Sequence, residues 1–303
     1  MTSGVEGRPS GPFGRDRHFR ARGLALVLVF LGAALAPQRG AAQGAASPPE
    51  TTRHVWLDVE GEPLPFQSDA EILEVLRSAP VVSRQTIPVG VNKPQELVLE
   101  KDGTRLRAAF RVVDKKQKNV RIGERYYFDF RDSYRHEPAA YELARWLGLD
   151  SVPPAVLRTL DGKDGSVQIW VENARNSDEL DSKPPDVQAW IRQWWEKDLF
   201  DNLILNTDRN SGNVLVGQDY RLWLIDHTRA FQPERQLLNP ETLARIKRSV
   251  WNRLVAMSED DLVGLLGDFL DHAQVSALAK RRDLLIEHVE GLVAERGEGA
   301  VFY

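Results

Sequence analysis

The sequence predicts an α+β chain in which a smaller β-rich lobe precedes a larger, mainly helical one, and three observations carry this. Between Val81 and Val171 the apolar residues fall in short β-prone runs broken by turn dipeptides. A polar connector then runs from Glu172 to Pro185. Beyond it, one short hairpin aside, apolar residues recur at helical spacing. Strands followed by helices across a polar connector is the layout of two lobes. The boundaries read from this are a leader over 1–43, a linker over 44–70, an N-lobe over 71–172 and a C-lobe over 173–303.

Composition narrows the function. The chain has 303 residues, 42% of them hydrophobic, enough for a sizeable core. Its formal charge of -4 hides an asymmetry, because the leader holds six arginines against Glu6 and Asp16. Without the leader, 34 basic residues face 42 acidic ones, a balance of -8 that speaks against a general nucleic-acid binder. With no cysteine there is no disulfide framework, no thiolate zinc site and no cysteine nucleophile.

The leader has the three parts of an export signal. Arg15, Arg17, Arg20 and Arg22 precede the apolar run Leu24 to Ala36, and Pro37 and a small-residue stretch from Gly40 to Ser47 follow it. The run is shorter than the ~20 residues that cross a bilayer comfortably. A buried core helix is the alternative, although a Gly/Ala/Pro/Arg-rich leader gives it little to pack against. An uncleaved anchor is another, and it too places the body outside the cytoplasm. The expected location is therefore periplasmic, extracellular or lumenal, with membrane contact only through such an anchor.

In chain order, Pro48, Pro49, Pro63 and Pro65 mark the linker, and Glu71 to Arg77 reads as a short helix. Strands are expected over Val81 to Ile87, Gln95 to Lys101 and Thr104 to Val113, with Asp102-Gly103 as a hairpin turn. Between the first two, Gly90 could let backbone amides approach a phosphate with Lys93 supplying charge, or the stretch could be an ordinary glycine-bearing hairpin loop. Residues 114–133 read as a charged loop or irregular insertion, with Tyr126 to Phe130 able to form an extra strand. Pro138 to Leu147 is helical by period and stops at Gly148. Glu137 at its start can serve as a cap or as a functional carboxylate.

Val152 to Leu160 and Ser166 to Val171 form the next strand pair around Asp161 to Gly165. The helix from Asp186 to about Ile204 carries tryptophans suited to packing. Past Phe231, Glu241 to Arg248, Glu259 to Leu270 and Ala273 to Glu295 are amphipathic, with Ser258 and Asp261 as a capping box. The basic residues at Lys280 to Arg282 read as a solvated face.

The stretch Phe200 to Phe231 carries the chemistry. Asp208 and Asn213 lie five residues apart across turn-forming Arg209 to Gly212, so they sit on a loop. Val214 to Val216 and Leu222 to Ile225 form a hairpin that returns Asp226 towards Asn213. Three oxygen-bearing side chains so placed can hold a hard cation. The alternative is a polar hairpin stabilised by Asx turns.

The chain resembles the protein-kinase-like fold in its atypical branches. Asn206-Thr-Asp-Arg-Asn-Ser-Gly-Asn213, with Leu224-Ile-Asp-His227 after it, looks like the catalytic and metal-binding loops of phosphatidylinositol 3/4-kinases, HipA-type kinases and Golgi secretory-pathway kinases. Glu137-Pro-Ala-Ala-Tyr through Gly148, then Val152-Pro-Pro, is similar to the secretory-pathway group, and Gly90-Val-Asn-Lys-Pro resembles the HipA-type phosphate loop. The resemblance implies that Asp208 orients or deprotonates the acceptor hydroxyl, while Asn213 and Asp226 hold magnesium or manganese on the ATP phosphates. It places Gly90, Lys93, Arg111, Glu137 and, at the lobe boundary, Glu172 around the nucleotide. Arg209 is set to neutralise phosphate or to brace the loop, and Asp201 to tie the preceding helix to it. Two departures stand out. Arg111 takes the place of the family's nucleotide-binding lysine, and Pro138 directly after Glu137 makes Glu142 a rival for the carboxylate role. The implied activity is an exported, ATP-dependent kinase acting on a hydroxyl, on a protein above all. A pseudokinase serving as a nucleotide- or partner-binding module and a lipid or sugar kinase are the alternatives.

Overall fold

Residues 54–88 and 93–303 are described by the computed structural model of the chain. The export signal and Gly90 lie outside them. Among the described residues no helix is long and apolar enough to cross a membrane.

The stretch that reads as a linker is part of the body from residue 54 on. Trp56, Leu64 and Phe66 are buried, and Trp56 packs on Trp223 with ring centroids 5.1 Å apart. Its prolines exclude regular structure without excluding burial. Helix α1 (Asp69–Ser78) follows, started by a capping box between Ser68 and Glu71 and burying Ile72, Leu73, Val75 and Leu76.

The first sheet is antiparallel with strand order β1-β2-β3-β7-β6. Its members are β1 (Val81–Thr86), β2 (Gln95–Lys101), β3 (Thr104–Arg111), β6 (Ala155–Leu160) and β7 (Lys163–Ile169). Asp102 and Gly103 both take positive φ, 52° and 79°, as a two-residue hairpin between β2 and β3 requires. The turn between β6 and β7 is tighter than the sequence suggests. Asp161 and Gly162 make it alone, and β7 begins at Lys163, so Gly165 lies within a strand. Helix α2 (His136–Leu147) and α1 both pack on the β6–β7 end, and α2 ends in a left-handed Gly148 at φ 76°.

Residues 114–133 correct the loop reading. They form a two-stranded ribbon of β4 (Asp114–Ile122) and β5 (Arg125–Ser133) in continuous antiparallel register from Asp114↔Ser133 to Ile122↔Arg125. Most of β4 is exposed on both faces, so its sequence lacks the alternation that burial imposes on one face.

The polar connector is also partly ordered. Its two-residue strand β8 (Arg175–Asn176) adds to the hairpin of β9 (Val214–Val216) and β10 (Leu222–Leu224), giving a second sheet of order β10-β9-β8. Helix α3 (Val187–Ile204), N-capped by Asp186, leads into this hairpin.

The C-terminal part is helical, with α4 (Arg248–Ala256), α5 (Glu259–Leu266), α6 (His272–Arg296) and α7 (Glu298–Val301). The helix expected at Glu241 to Arg248 is replaced by a 3-10 turn at Pro240–Thr242 and an extended stretch. There Ile246 bridges Phe302, and the Ile246 amide donates to the Val301 carbonyl at 2.8 Å. Arg281 on α6 is fully buried, not solvated. Its Nε donates to the Leu203 carbonyl at 2.7 Å and its Nη1 to the Gln232 carbonyl at 2.9 Å, fixing α6 to the segments that flank the hairpin.

Gly165 lies beside the C-terminal end of β3. A Cβ there would stand 2.4 Å from the Phe110 ring and 2.5 Å from the Arg111 carbonyl oxygen. Gly165→Ala should therefore force β3 and β7 apart and cost about 1–3 kcal/mol, seen as a fall of several degrees in Tm. An unchanged melting curve would contradict this packing.

Candidate functional site

The segment bearing the motif is pinned at both ends by unusual backbone. Leu205, which ends α3, and Phe231 both take left-handed φ, 49° and 54°, and the Phe231 amide donates to the Ile204 carbonyl at 2.6 Å. Bulky residues hold such angles only where surroundings over-determine them. Within this closed segment, Asn206 Oδ1 accepts the Asp208 amide at 3.2 Å. Asn213 Nδ2 donates to the Asp208 carbonyl at 2.9 Å, which ties the catalytic candidate to the metal candidate and leaves Asn213 Oδ1 as the side chain's acceptor. Asp226 has φ 56°, and Thr228 Oγ1 donates to its Oδ1 at 3.2 Å.

Arg209 braces this loop. Its side chain is only 7% exposed, and every N–H has an acceptor. Nε and Nη2 grip the Asp201 carboxylate at 3.1–3.2 Å, Nη1 donates to the Asn213 and Ile225 carbonyls at 2.7 and 2.8 Å, and Nη2 also reaches His227 Nε2 at 3.0 Å. The arginine has no lone pair to offer, so His227 Nε2 must be the acceptor. The His227 proton therefore sits on Nδ1, where it donates to Glu137 Oε2 at 3.3 Å. Burial lowers the His227 pKa and keeps the ring neutral, consistent with that tautomer.

Glu137 is fully buried and turned away from the cap of α2, which has no side-chain cap bond. Its Oε1 accepts the His227 amide at 3.0 Å, and Arg111 Nε lies 3.5 Å from the same oxygen. Gln168 Nε2 donates to Oε2 at 3.3 Å. Burial alone would raise this carboxyl's pKa, but Arg111 and the hydrogen bonds from His227 outweigh it and hold the value at about 2. Glu142, the rival, pairs with Arg145 at 2.8 Å on the same helix. Arg111 reaches further, to within 4.0 Å of Asp226 Oδ1, so β3, α2 and the end of β10 meet at one guanidinium.

Two arginines thus stand at these carboxylates. Arg111 serves Glu137 and Asp226. Arg229, which the sequence reading left out, has Nη1 3.1 Å from Asp208 and Nε 3.3 Å from the buried Asp132. Partial burial raises the Asp208 pKa, Asp226 and Asp132 add to the rise, and Arg229 opposes it. Glu172 is engaged elsewhere, its carboxylate held bidentately by Arg107 on β3. Lys93 is exposed at the edge of its loop with φ 45°.

The oxygen donors fit a hard divalent cation. Among the described residues no group of three or more His, Asp or Glu is gathered for a metal. Magnesium is commonly held by one or two protein oxygens plus phosphate oxygens, which is what Asn213 and Asp226 offer.

Compared by sequence, the chain matches no family model and no curated protein. Compared by structure, it is similar to Fam20 of hydra solved with sugar, at TM-score 0.62 and 18% identity over 78% of this chain and 93% of that one. It is also similar to the Golgi casein kinase with Mn and ADP bound, at TM-score 0.58 and 16% identity over 77% of this chain and 78% of that one. The chain therefore has an atypical kinase-like fold, with a β-sheet N-terminal part and a helical C-terminal part.

The depressed pKa of Glu137 is a stability statement. Below its ordinary 4.5 in the unfolded chain and at about 2 in the folded one, it contributes stability that is complete above pH 4.5 and is lost as pH falls towards 2. The contribution is about 3 kcal/mol. Urea unfolding at pH 7, 4 and 3 should show wild type losing stability through that window and Glu137→Gln, less stable at pH 7, losing markedly less. Parallel losses in both would refute the assignment.

Proposed function

We propose that the chain is an exported, ATP-dependent phosphotransferase that moves the γ-phosphoryl group of ATP to a hydroxyl on a polypeptide. The observation that carries this reading is the convergence on Arg111. One guanidinium from the β-rich part lies within ion-pair range of both Glu137 and Asp226, while Asn213 is tied to Asp208. A likeness in fold to kinases supports it.

In this reading Asp208 takes the proton of the acceptor hydroxyl as its oxygen bonds to the γ-phosphorus, while the bond to the β–γ bridging oxygen breaks and ADP leaves. Its raised pKa suits a base. Arg229 orients the Asp208 carboxylate from the side facing Asp132. Asn213 and Asp226 would hold Mg²⁺ or Mn²⁺, which would offset charge on the phosphates. Arg111, fixed by Glu137 and Gln168, supplies permanent positive charge where a lysine would supply an ammonium. The leader 1–43 directs export, and Gly90 and Lys93 would contact the phosphates.

A nucleotide- or partner-binding module without transfer is the second reading, favoured by Arg111 itself. Its side chain is 9% exposed and committed to Glu137, which leaves it less free than a lysine to follow a phosphate.

Incubation of the protein with γ-labelled ATP and Mn²⁺ or Mg²⁺ tests the choice. Transfer of label to added polypeptide is expected, falling by about 10²-fold or more in Asp226→Ala. Equal labelling by both would sink the mechanism, and a thermal shift with Mn²⁺·ATP but no transfer would select the second reading. The pH dependence supplies another check. Activity should fall as pH drops through the Asp208 pKa, and in Arg229→Met, which lacks the opposing cation, that acid limb should move to higher pH. A limb that stays in place would remove Arg229 from the site.

A further inference from the structure

We propose that the β4–β5 ribbon is a docking arm for the acceptor, and that the acceptor segment is an extended, acidic polypeptide with a bulky apolar residue well along the chain from its hydroxyl. This rests on the phosphotransfer reading above.

The root of the ribbon forms one wall of the site. Asp132, near the end of β5, holds Arg229 at 3.3 Å, and Arg229 holds Asp208 at 3.1 Å. The Arg229 guanidinium lies 5.9 Å from the Phe130 ring, Phe130 meets Tyr127 at 5.0 Å, and Arg125 lies 5.4 Å from Tyr127. An unbroken series of contacts therefore joins the catalytic candidate to the tip of the ribbon.

The tip is built unlike an ordinary exposed ribbon. Phe128 is 72% exposed and Tyr126 51%, and their rings meet edge to face at 5.1 Å. The Tyr126 hydroxyl donates to Asn119 Oδ1 at 3.1 Å, which fixes the ring, and Arg121 stands opposite Tyr126 in the register. Among the described residues the ribbon has two strands only, so its edges are open beyond the root, where Gln232 and Thr228 occupy the backbone of Arg131 and Ser133. Proteins guard such edges with charge, which accounts for Lys116 and Lys118. It does not account for two large rings left in water beside them, an arrangement that invites association unless it serves it.

Charge and length identify the occupant. Lys115, Lys116, Lys118, Arg121 and Arg125 stand against Glu124 alone between residues 115 and 128, on a body whose balance beyond the leader is -8. A basic arm on an acidic body attracts acidic partners and lets them meet it in one place. At about 3.3 Å per residue, Phe128 lies ~13 Å and Tyr126 ~20 Å along the strand from Asp132. An extended chain with its hydroxyl at Asp208 must also span the Arg229 bridge to Asp132, roughly two residues, and would meet the rings about six to eight residues away; an extended chain is what an open strand edge accepts. A bilayer could touch the rings but could not follow the ribbon down to Asp208.

The test uses the full chain and an oriented peptide library with one serine and randomised flanks. Wild type should select acidic residues, with a bulky apolar residue about six to eight positions from the serine. Tyr126→Ala/Phe128→Ala should lose that selection and about tenfold in kcat/KM, through KM, while its Tm, its thermal shift with Mn²⁺·ATP and its ADP release to water stay as in wild type. Arg121→Glu should lose the acidic preference alone. The proposal is overturned if the double variant selects and phosphorylates peptides as wild type does. It is overturned as well if wild type releases ADP yet labels no peptide, or if the double substitution abolishes only sedimentation with vesicles of 30% phosphatidylserine. Absence of both the Mn²⁺·ATP shift and ADP release in wild type would bring down the phosphotransfer reading itself, and the docking arm with it.

Discussion

The site depends on the burial of one guanidinium. Arg209 sits one residue after Asp208 and contacts the last turn of α3, the start of β9, the end of β10 and the residue after Asp226. Only arginine has enough fixed donors to satisfy a carboxylate, two carbonyls and an imidazole at once. Its ion pair with Asp201 does not by itself argue for stability, since desolvating both charges costs about as much as their attraction returns. What the pair does is fix geometry, because any departure of the loop would leave a charge buried and alone. Lys197, 3.4 Å from Asp201, adds a second cation on the helix side.

From Arg209 the order passes into the β-rich part through a neutral histidine. His227 accepts from Arg209 on one nitrogen and donates to Glu137 from the other. Protonating it would place a cation against Arg209 and remove the acceptor, so burial and neighbour agree on the uncharged form. Glu137 in turn has both oxygens engaged, by His227, Gln168 and Arg111. It has no capacity left for a metal or for a helix cap, and its role is to hold Arg111 in place. A second buried imidazole repeats the device. His136 Nδ1 donates to the Thr228 carbonyl at 2.7 Å, and its Nε2 accepts from Gln274 at 2.9 Å, which ties α2 to α6. Burial lowers its pKa to about 4, so it too stays neutral.

These relations show why some parts of the molecule were legible in the sequence and others were not. The strands β2 and β3, the Asp102-Gly103 turn and the Asp208–Asn213–Asp226 hairpin follow from local rules of alternation, turn chemistry and spacing. The meeting of Arg111 with Glu137 came from the resemblance, not from any local rule, because it joins a strand to a helix across a fold. Of the ribbon only Tyr126 to Phe130 was readable as a strand, because β4, exposed on both faces, has no periodic signature, and β8 was missed because two residues carry none. Arg229, His227 and Arg281 were missed for another reason. Their importance lies wholly in long-range partners, and a lone arginine or histidine in sequence is the same whether it faces water or a buried carboxylate. The unexpected break in the helix near Ile246 is likewise tertiary, since the C-terminal Val301 and Phe302 capture that backbone.

The charge pattern of the site then says what it is suited to receive. Each guanidinium that faces it is shared between two carboxylates, Arg111 between Glu137 and Asp226 and Arg229 between Asp132 and Asp208. Arg209 adds nothing to the balance, being matched by Asp201. The site therefore keeps an excess of negative charge at the oxygens of Asp208 and Asp226, which are its exposed members at 40% and 38%. A polyphosphate would be repelled by such a surface on its own. Accompanied by a hard dication it would be matched by it, with Asn213 Oδ1 and Asp226 as oxygen donors and Arg111 behind them. Arg111 fits this balance, because its guanidinium can touch Glu137 and Gln168 together while facing Asp226, contacts that a single ammonium could not divide in the same plane.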